Sequence, residues 1–175
     1  QEMIRYAQEF RLPLLGICAG IQLLAVSFSS LLIQKVDGHS CSGIDEAHSI
    51  RIQAGSLLAD IVGPKELVVN SRHNEAVNPN ILGDELIITA MSEDGVVEAI
   101  EMIDPWCEFV LGVQFHPEVM HTQYGMQMLR NFLYEVCGAV GDWTMGNFAA
   151  RQIAALKEKI GDKKVLCALS GGGDS

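Results

Sequence analysis

The chain has 175 residues, 49% of them apolar, and carries a formal net charge of −10. That length holds one sizeable domain and part of a second, with enough apolar side chains for a packed core under a covered sheet. The acidic balance argues against a nucleic-acid footprint, where a basic face is expected, and against anionic membranes, so neither is an expected partner. No apolar run approaches the ~18 residues of a membrane span, and the opening residues show no basic n-region or cleavage signature, so a signal peptide is not expected among them. Five cysteines at irregular spacing, with no Cys-x-x-Cys, suit a reducing cytoplasm better than a disulfide framework.

Residues 2–10 read as a helix. The run Pro13-Leu14-Leu15 then enters Gly16-Ile17-Cys18-Ala19-Gly20, and a helical pattern follows to residue 28. Gly-x-Cys-x-Gly between strand and helix is a nucleophile elbow with cysteine in the place of serine. The turn is tight enough that side chains at Gly16 and Gly20 are expected to collide with neighbouring backbone. The helix behind Cys18 offers N–H groups and a positive dipole end, which favour a thiolate.

Residues 37–46 read as a loop, 47–53 as a strand, 56–62 as a short helix and 66–70 as a strand. His39, Cys41 and His48 lack a fourth ligand and a standard zinc spacing, so no metal is expected. Strands at 85–92 and 96–103 flank Glu93-Asp94-Gly95, a hairpin signal. The next strand-like run, Phe109 to Phe115, delivers His116-Pro117-Glu118. On extended backbone, residues two apart point the same way, so Glu118 can hold one ring nitrogen of His116 while the other faces a nucleophile.

A helix near 123–136 ends at Gly138, and 139–142 form a linker. Thr144 or Asp142 can cap a helix whose apolar face is Met145, Phe148, Ala149, Ile153, Leu156 and Ile160, closed by Gly161. A short apolar strand, 164–169, precedes Ser170-Gly171-Gly172-Gly173-Asp174-Ser175. Backbone N–H groups of such a glycine turn can converge on phosphate oxygens, although no Walker lysine follows. Alternating strands and helices argue an α/β fold with a mostly parallel sheet flanked by helices.

The elbow Gly16–Gln22 together with Gly112–Glu118 resembles the class I (triad-type) glutamine amidotransferases, over most of residues 1–138. The resemblance implies their flavodoxin-like fold and a catalytic triad of Cys18, His116 and Glu118. It implies an oxyanion-hole N–H from Ala19 and substrate contact from Gln22, and His73 is a further candidate for substrate binding. His121–Gly125, Asn131–Leu133 and Gly141–Met145 are similar to the GMP synthases where glutaminase and synthetase domains join. Ser170–Ser175 resembles the pyrophosphate loop of ATP pyrophosphatases, which makes Ser170, Gly171, Gly172, Gly173, Asp174 and Ser175 candidate ATP contacts.

This reading divides the chain into an amidotransferase domain at 1–138, a linker and helix at 139–163, and the first strand and loop of an ATP pyrophosphatase domain at 164–175. It expects earlier strands of the family fold, and the rest of the second domain, to lie outside the chain. The implied reaction is glutamine hydrolysis that feeds ammonia to the amination of xanthosine monophosphate (XMP), in the cytoplasm. ATP and Mg2+ would serve the full-length protein and no cofactor the glutaminase half; the oligomeric state is left open, a homodimer included.

The middle of the chain, His48–Ile52, Gly55–Leu58, Val69–Val77 and Asp94–Glu101, is more similar to the gamma-glutamyl peptide hydrolases of the same fold. A stand-alone gamma-glutamyl hydrolase is therefore one alternative, favoured if Arg72 or His73 contacts groups beyond the amide. A non-catalytic regulatory domain is the other.

Overall fold

The computed structural model describes residues 2–41, 44, 46–63, 66–119, 122–142 and 144–164. The chain divides into two units, Gln1–Ala139 and Val140–Ser175. The first begins with α1 (Glu2–Glu9), β1 (Leu14–Ile17) and α2 (Ala19–Ser27). A two-residue strand, β2 (Leu32–Ile33), precedes β3 (His48–Ile52), α3 (Leu57–Val62) and β4 (Glu66–Val69). Then come β5 (Ala76–Val77), β6 (Leu86–Ser92), β7 (Val97–Met102), β8 (Val110–Val113) and α4 (Gly125–Arg130), which runs into a π-helical stretch, Asn131–Val136.

Six strands form one sheet in the order β1-β8-β7-β6-β3-β4, while β2 and β5 pair separately. Strand β8 is buried along its whole length, as a central strand must be, and alternates its side chains between two cores. Val110 faces a cluster built with Ile4 and Ala7 of α1 and Ile21, Leu24 and Ala25 of α2. Leu111 and Val113 face the opposite cluster, built with Leu58 and Val62 of α3 and Met128 of α4. Helices thus cover both faces, and burial of these apolar side chains, each contributing about 1.5–3 kcal/mol, is the main force holding the layers.

The α/β class and amidotransferase-like fold expected from the sequence are what the chain adopts. Its parallel seam is β1–β8, with Leu14 opposite Val110 and Ile17 opposite Val113. The other four pairings of the main sheet are antiparallel. Between β6 and β7 a short connection dictates this: a turn at 93–95 can only return a strand antiparallel, whereas a parallel partner needs a long crossover. Glu101 of β7 turns inward to accept hydrogen bonds from Leu57 and Leu58 N–H at 3.0 and 3.2 Å, which satisfies donors at the start of α3.

The second unit contains α5 (Met145–Ile160). Of the two expected caps it is Thr144 that acts, its hydroxyl accepting from Asn147 N–H at 3.1 Å.

Candidate active site

Strands β1 and β8 run side by side in the same direction, so the residues just past their ends emerge together. In open α/β sheets this carboxyl end of parallel strands is where ligands bind. Cys18 follows β1 and is tied to the seam by its N–H, which donates to Val113 C=O at 2.9 Å. Its backbone sits at φ 50° and ψ −103°, an unfavourable conformation for a residue with a side chain. Such strain costs about 1–3 kcal/mol and persists only where surrounding structure enforces it.

Gly16 is part of that enforcement. A Cβ there would lie 2.8 Å from Gly20 C and 2.9 Å from Gly20 O, backbone atoms that cannot move aside. The collision expected at Gly20 itself does not occur, because a Cβ at that position meets nothing within 4 Å. The contact belongs to the Gly16 side alone: α2 leaves the elbow with its first turn over β1. Gly16→Ala is expected to lower stability by about 1–3 kcal/mol, whereas Gly20→Ala should be neutral or stabilising by up to about 1 kcal/mol through helix propensity. Thermal melts of the two variants check this, and equal losses would contradict it.

Beyond β8, His116 Nδ1 lies 2.7 Å from Glu118 Oε1. The pair forms as expected, but by a different route. Strand β8 ends at Val113, and Pro117 and Glu118 lie in a turn that folds the carboxylate back to the ring. With Nδ1–H donated to Glu118, the neutral ring keeps a lone pair on Nε2, the tautomer a general base requires.

The backbone of His116 is clamped by a residue that has no sequence signal of its own. Asn70, fully buried after β4, accepts from His116 N–H at 3.0 Å and donates to His116 C=O at 2.8 Å. Its second amide hydrogen goes to Thr122 Oγ1 at 2.7 Å, and that hydroxyl also donates to His116 C=O at 2.8 Å. An asparagine far away in sequence, pairing with both backbone groups of a histidine, leaves no local trace.

The thiolate expected at Cys18 is not the form favoured in the free site. Partial burial pushes the thiol above its ordinary value of 9.0, and the negative charges of Glu118 and Glu98 push the same way. The Ala19 N–H and the Gln114 side-chain amide, whose Nε2 lies 3.8 Å from Sγ, oppose this without overcoming it. Cys18 therefore rests as a thiol and needs a base to give up its proton. Alkylation of Cys18 by iodoacetamide should rise about tenfold per pH unit from pH 7 to 9, with no plateau below 9.0. Mass spectrometry of the Cys18 peptide follows the rate, and a plateau near neutrality would mean that the thiolate is stabilised after all.

A cleft of about 410 Å³ opens beside the sulfur, lined by Cys18, Gln22, Gln34, Arg72, His73, Asn74 and Glu75. Gln22 reaches across it, Nε2 donating to Glu75 C=O at 2.8 Å. His73 borders the same cleft, but it is 4% exposed and its ring nitrogens are directed to Glu75 C=O and to a buried histidine cluster. Its ring is thus engaged by the protein rather than presented to the cleft.

A strained cysteine past β1 and a histidine–carboxylate pair past β8, at the same end of the parallel seam, are the kinds of groups that attack an amide carbonyl. The family profile described as Peptidase C26 matches residues 1–118. The chain belongs to the Peptidase C26 family.

Its relatives narrow the comparison. Over 164 residues the chain is 40% identical to the glutamine-hydrolysing GMP synthase of Clostridium botulinum, covering 94% of this chain and 30% of that one. Over 168 residues it is 42% identical to the same enzyme of Streptococcus thermophilus, covering 95% and 30%. The chain thus spans about 30% of the length of the curated relatives it matches. Among solved structures, a GMP synthase subunit protein of Thermoplasma acidophilum superposes with a TM-score of 0.62 at 24% identity, covering 86% of this chain and 65% of that one. A glutamine amidotransferase of Thermotoga maritima gives 0.55 at 19% identity, covering 91% and 61%. The chain carries a class I glutamine amidotransferase domain homologous to the glutaminase part of GMP synthase.

Within this Peptidase C26 domain, no helix among the described residues is long and apolar enough to cross a membrane. The candidate ATP contacts Ser170, Gly171, Gly172, Gly173, Asp174 and Ser175 lie outside the described residues. Of the three residues considered for metal binding, His39 and His48 do come together, with Glu98 rather than Cys41 as the third group.

Proposed function

We propose that the domain hydrolyses glutamine to glutamate and ammonia, with Cys18 as nucleophile, His116 as general base and acid, and Glu118 as the group that orients His116. The observation that carries this reading is the parallel β1–β8 seam, which brings the strained Cys18 and the 2.7 Å His116–Glu118 pair to the same end of the sheet. His116 Nε2 removes the thiol proton as the sulfur attacks the side-chain carboxamide carbon. The developing oxyanion is met by the Ala19 N–H at the start of α2. Collapse of the tetrahedral intermediate breaks the C–N bond, and His116 returns the proton to the departing ammonia. His116 then deprotonates a water molecule, which attacks the thioester and releases glutamate with the Cys18 thiol restored. Gln22, which lines the same cleft, is assigned the substrate contact.

We further assign the ammonia to an ATP-dependent synthetase of the GMP synthase type, with XMP as acceptor and ATP and Mg2+ bound through Ser170–Ser175. The 40–42% identity to glutamine-hydrolysing GMP synthases over nearly the whole chain supports this. The test assays the full-length protein for GMP formation from XMP and ATP, once with glutamine and once with ammonia supplied directly. Cys18→Ser should remove the glutamine-dependent reaction and spare the ammonia-dependent one. Loss of both would place Cys18 in the fold rather than the chemistry, and no GMP from either nitrogen source would overturn the synthetase assignment. Release of an amine from a gamma-glutamyl dipeptide faster than ammonia from glutamine would favour the hydrolase reading instead.

A further inference from the structure

Behind the wall of the cleft lies a group of titratable side chains that the proposed reaction does not use. Glu98 on β7 is fully buried, and neither carboxylate oxygen has a hydrogen-bond partner among the described residues. Three histidines surround one of those oxygens. His39 Nδ1 and His48 Nε2 each lie 3.5 Å from Glu98 Oε1, and His73 Nε2 lies 3.6 Å from it. His39 Nδ1 and His73 Nε2 are 3.2 Å apart. The fold brings these rings together from distant segments. Ser40 bridges Arg72 in antiparallel fashion, which sets His39 beside His73, while β3 carries His48.

The outer nitrogens decide what faces inward. His39 Nε2 lies 3.0 Å from the Asp94 carboxylate, an acceptor, so that nitrogen carries hydrogen. His73 Nδ1 lies 3.0 Å from Glu75 C=O and His48 Nδ1 3.4 Å from Ser49 C=O, acceptors that require N–H donors. In the neutral tautomer His48 and His73 each turn a bare lone pair toward an anionic oxygen, while the Glu98 and Asp94 carboxylates draw a positive charge to His39 between them. Ser71 Oγ, 3.0 Å from His39 Nδ1, has a single hydrogen and also meets His39 C=O at 2.9 Å, so it relieves one ring at most. Lone pairs converging on a buried carboxylate repel one another unless a cation sits among them.

The spacing identifies the class of cation. Two ligand atoms bound at 2.0–2.2 Å in a tetrahedral site lie about 3.3–3.5 Å apart, close to the 3.5 Å that separates Glu98 Oε1 from His39 Nδ1 and from His48 Nε2. His39, His48 and Glu98 place their ligand atoms all within 4.8 Å of one another. Two imidazoles and one carboxylate match the donor set of zinc sites that keep a fourth position open, and the nitrogen content disfavours Ca2+ and Mg2+. The contacts on the outer nitrogens are the second shell that metal-binding histidines ordinarily have. Cys41 is not part of the group, since its thiol donates to Gly38 C=O at 3.2 Å.

We propose that His39, His48 and Glu98 form a binding site for a divalent transition-metal ion of the zinc class, with the fourth coordination position left to solvent. A cavity of about 330 Å³ lined by Gly38, His39, His48, Ser49 and Asp94 gives the ion access from solvent. The bound ion joins the 37–41 segment and β3 to β7. It also offsets the Glu98 charge that acts on Cys18, without taking part in the hydrolysis.

The test uses the protein freed of metal by chelation, then given Zn2+ or Co2+ alone. One equivalent of Zn2+ should survive gel filtration, and Co2+ should produce the intense visible bands of a low-symmetry, four- or five-coordinate nitrogen–oxygen site. Loss of an outer-shell partner weakens metal binding by about 10–100-fold, so Asp94→Asn should cost that much and His48→Ala about 100-fold or more. Cys18→Ser and Cys41→Ser should change neither stoichiometry nor spectrum. His48 lies at the rim and Asp94 on an exposed turn, so the second variant carries the test if the first does not fold. No retained Zn2+ in the parent protein would mean the cluster is held by protons alone. That result overturns the proposal, as does Zn2+ retention that depends on a cysteine and not on His48.

Discussion

Cys18→Ser should lower glutamine hydrolysis by about four orders of magnitude or more while leaving the fold intact. Serine preserves the shape of the elbow, so φ 50° and the Cys18 N–H bond to Val113 C=O can persist. A hydroxyl, however, is far less acidic than a thiol and far less nucleophilic in an arrangement tuned for sulfur. Ammonia release measures the loss, and circular dichroism checks the fold. A glutamine-derived electrophile supplies the positive counterpart: it should label Cys18 and spare Cys41 and Cys107. Each of those two thiols is turned to backbone carbonyls, Cys41 to Gly38 and Cys107 to Leu12 and Phe109. Labelling chiefly at either would remove the nucleophile from the proposed reaction.

That such an experiment can be designed from the sequence reflects how local the elbow is. Strand, Gly-x-Cys-x-Gly and helix are contiguous, and their geometry follows from short-range sterics. The hairpin β6–β7 is legible for the same reason, because Glu93-Asp94-Gly95 carries its own turn chemistry. The helix capped by Thr144 shows its start and stop in its own residues. By contrast β2 and β5 are two residues each and are held by pairing across 43 or more positions, Leu32 with Val77 and Ile33 with Ala76. No periodicity can appear in so short a run. The π-helical stretch 131–136 likewise lies inside an apolar pattern that reads as ordinary helix.

The less legible parts of the site are those made by long-range convergence. Asn70 clamps the backbone of His116 from 46 residues away. His39, His48 and His73 carry no signal singly, and only the pairing of segment 39–41 with 71–73 and the register of the sheet gather them round Glu98. The protonation state of Cys18 departs from expectation for a related reason. The helix terminus behind it is encoded locally and favours thiolate, but burial and two carboxylates, one on β7 and one past β8, arrive through the tertiary fold and outweigh it. A thiol at rest makes the nearby base more important, not less.

His116→Ala and Glu118→Gln should therefore separate widely. In the proposed reaction the imidazole takes the thiol proton, returns it to ammonia and activates water, so its removal should lower kcat by about 10³–10⁵. In the proton transfers of that reaction Glu118 serves through the ring, and its side chain is 52% exposed. A glutamine there can turn its carbonyl oxygen to Nδ1–H, and solvent supports the arrangement, so the loss should be about 10–100-fold. The two variants also differ in a property unrelated to turnover. The Glu118 charge helps hold the Cys18 thiol above its ordinary value. Replacing that charge by an amide lowers the thiol pKa, which raises the thiolate fraction at any pH below it. Iodoacetamide should consequently modify Cys18 faster in Glu118→Gln than in the parent at pH 8, even as glutamine hydrolysis slows. Slower hydrolysis with unchanged alkylation would show that the carboxylate does not reach the sulfur. Equal and mild losses in both variants would make the His116–Glu118 pair a structural contact and leave Cys18 without its base.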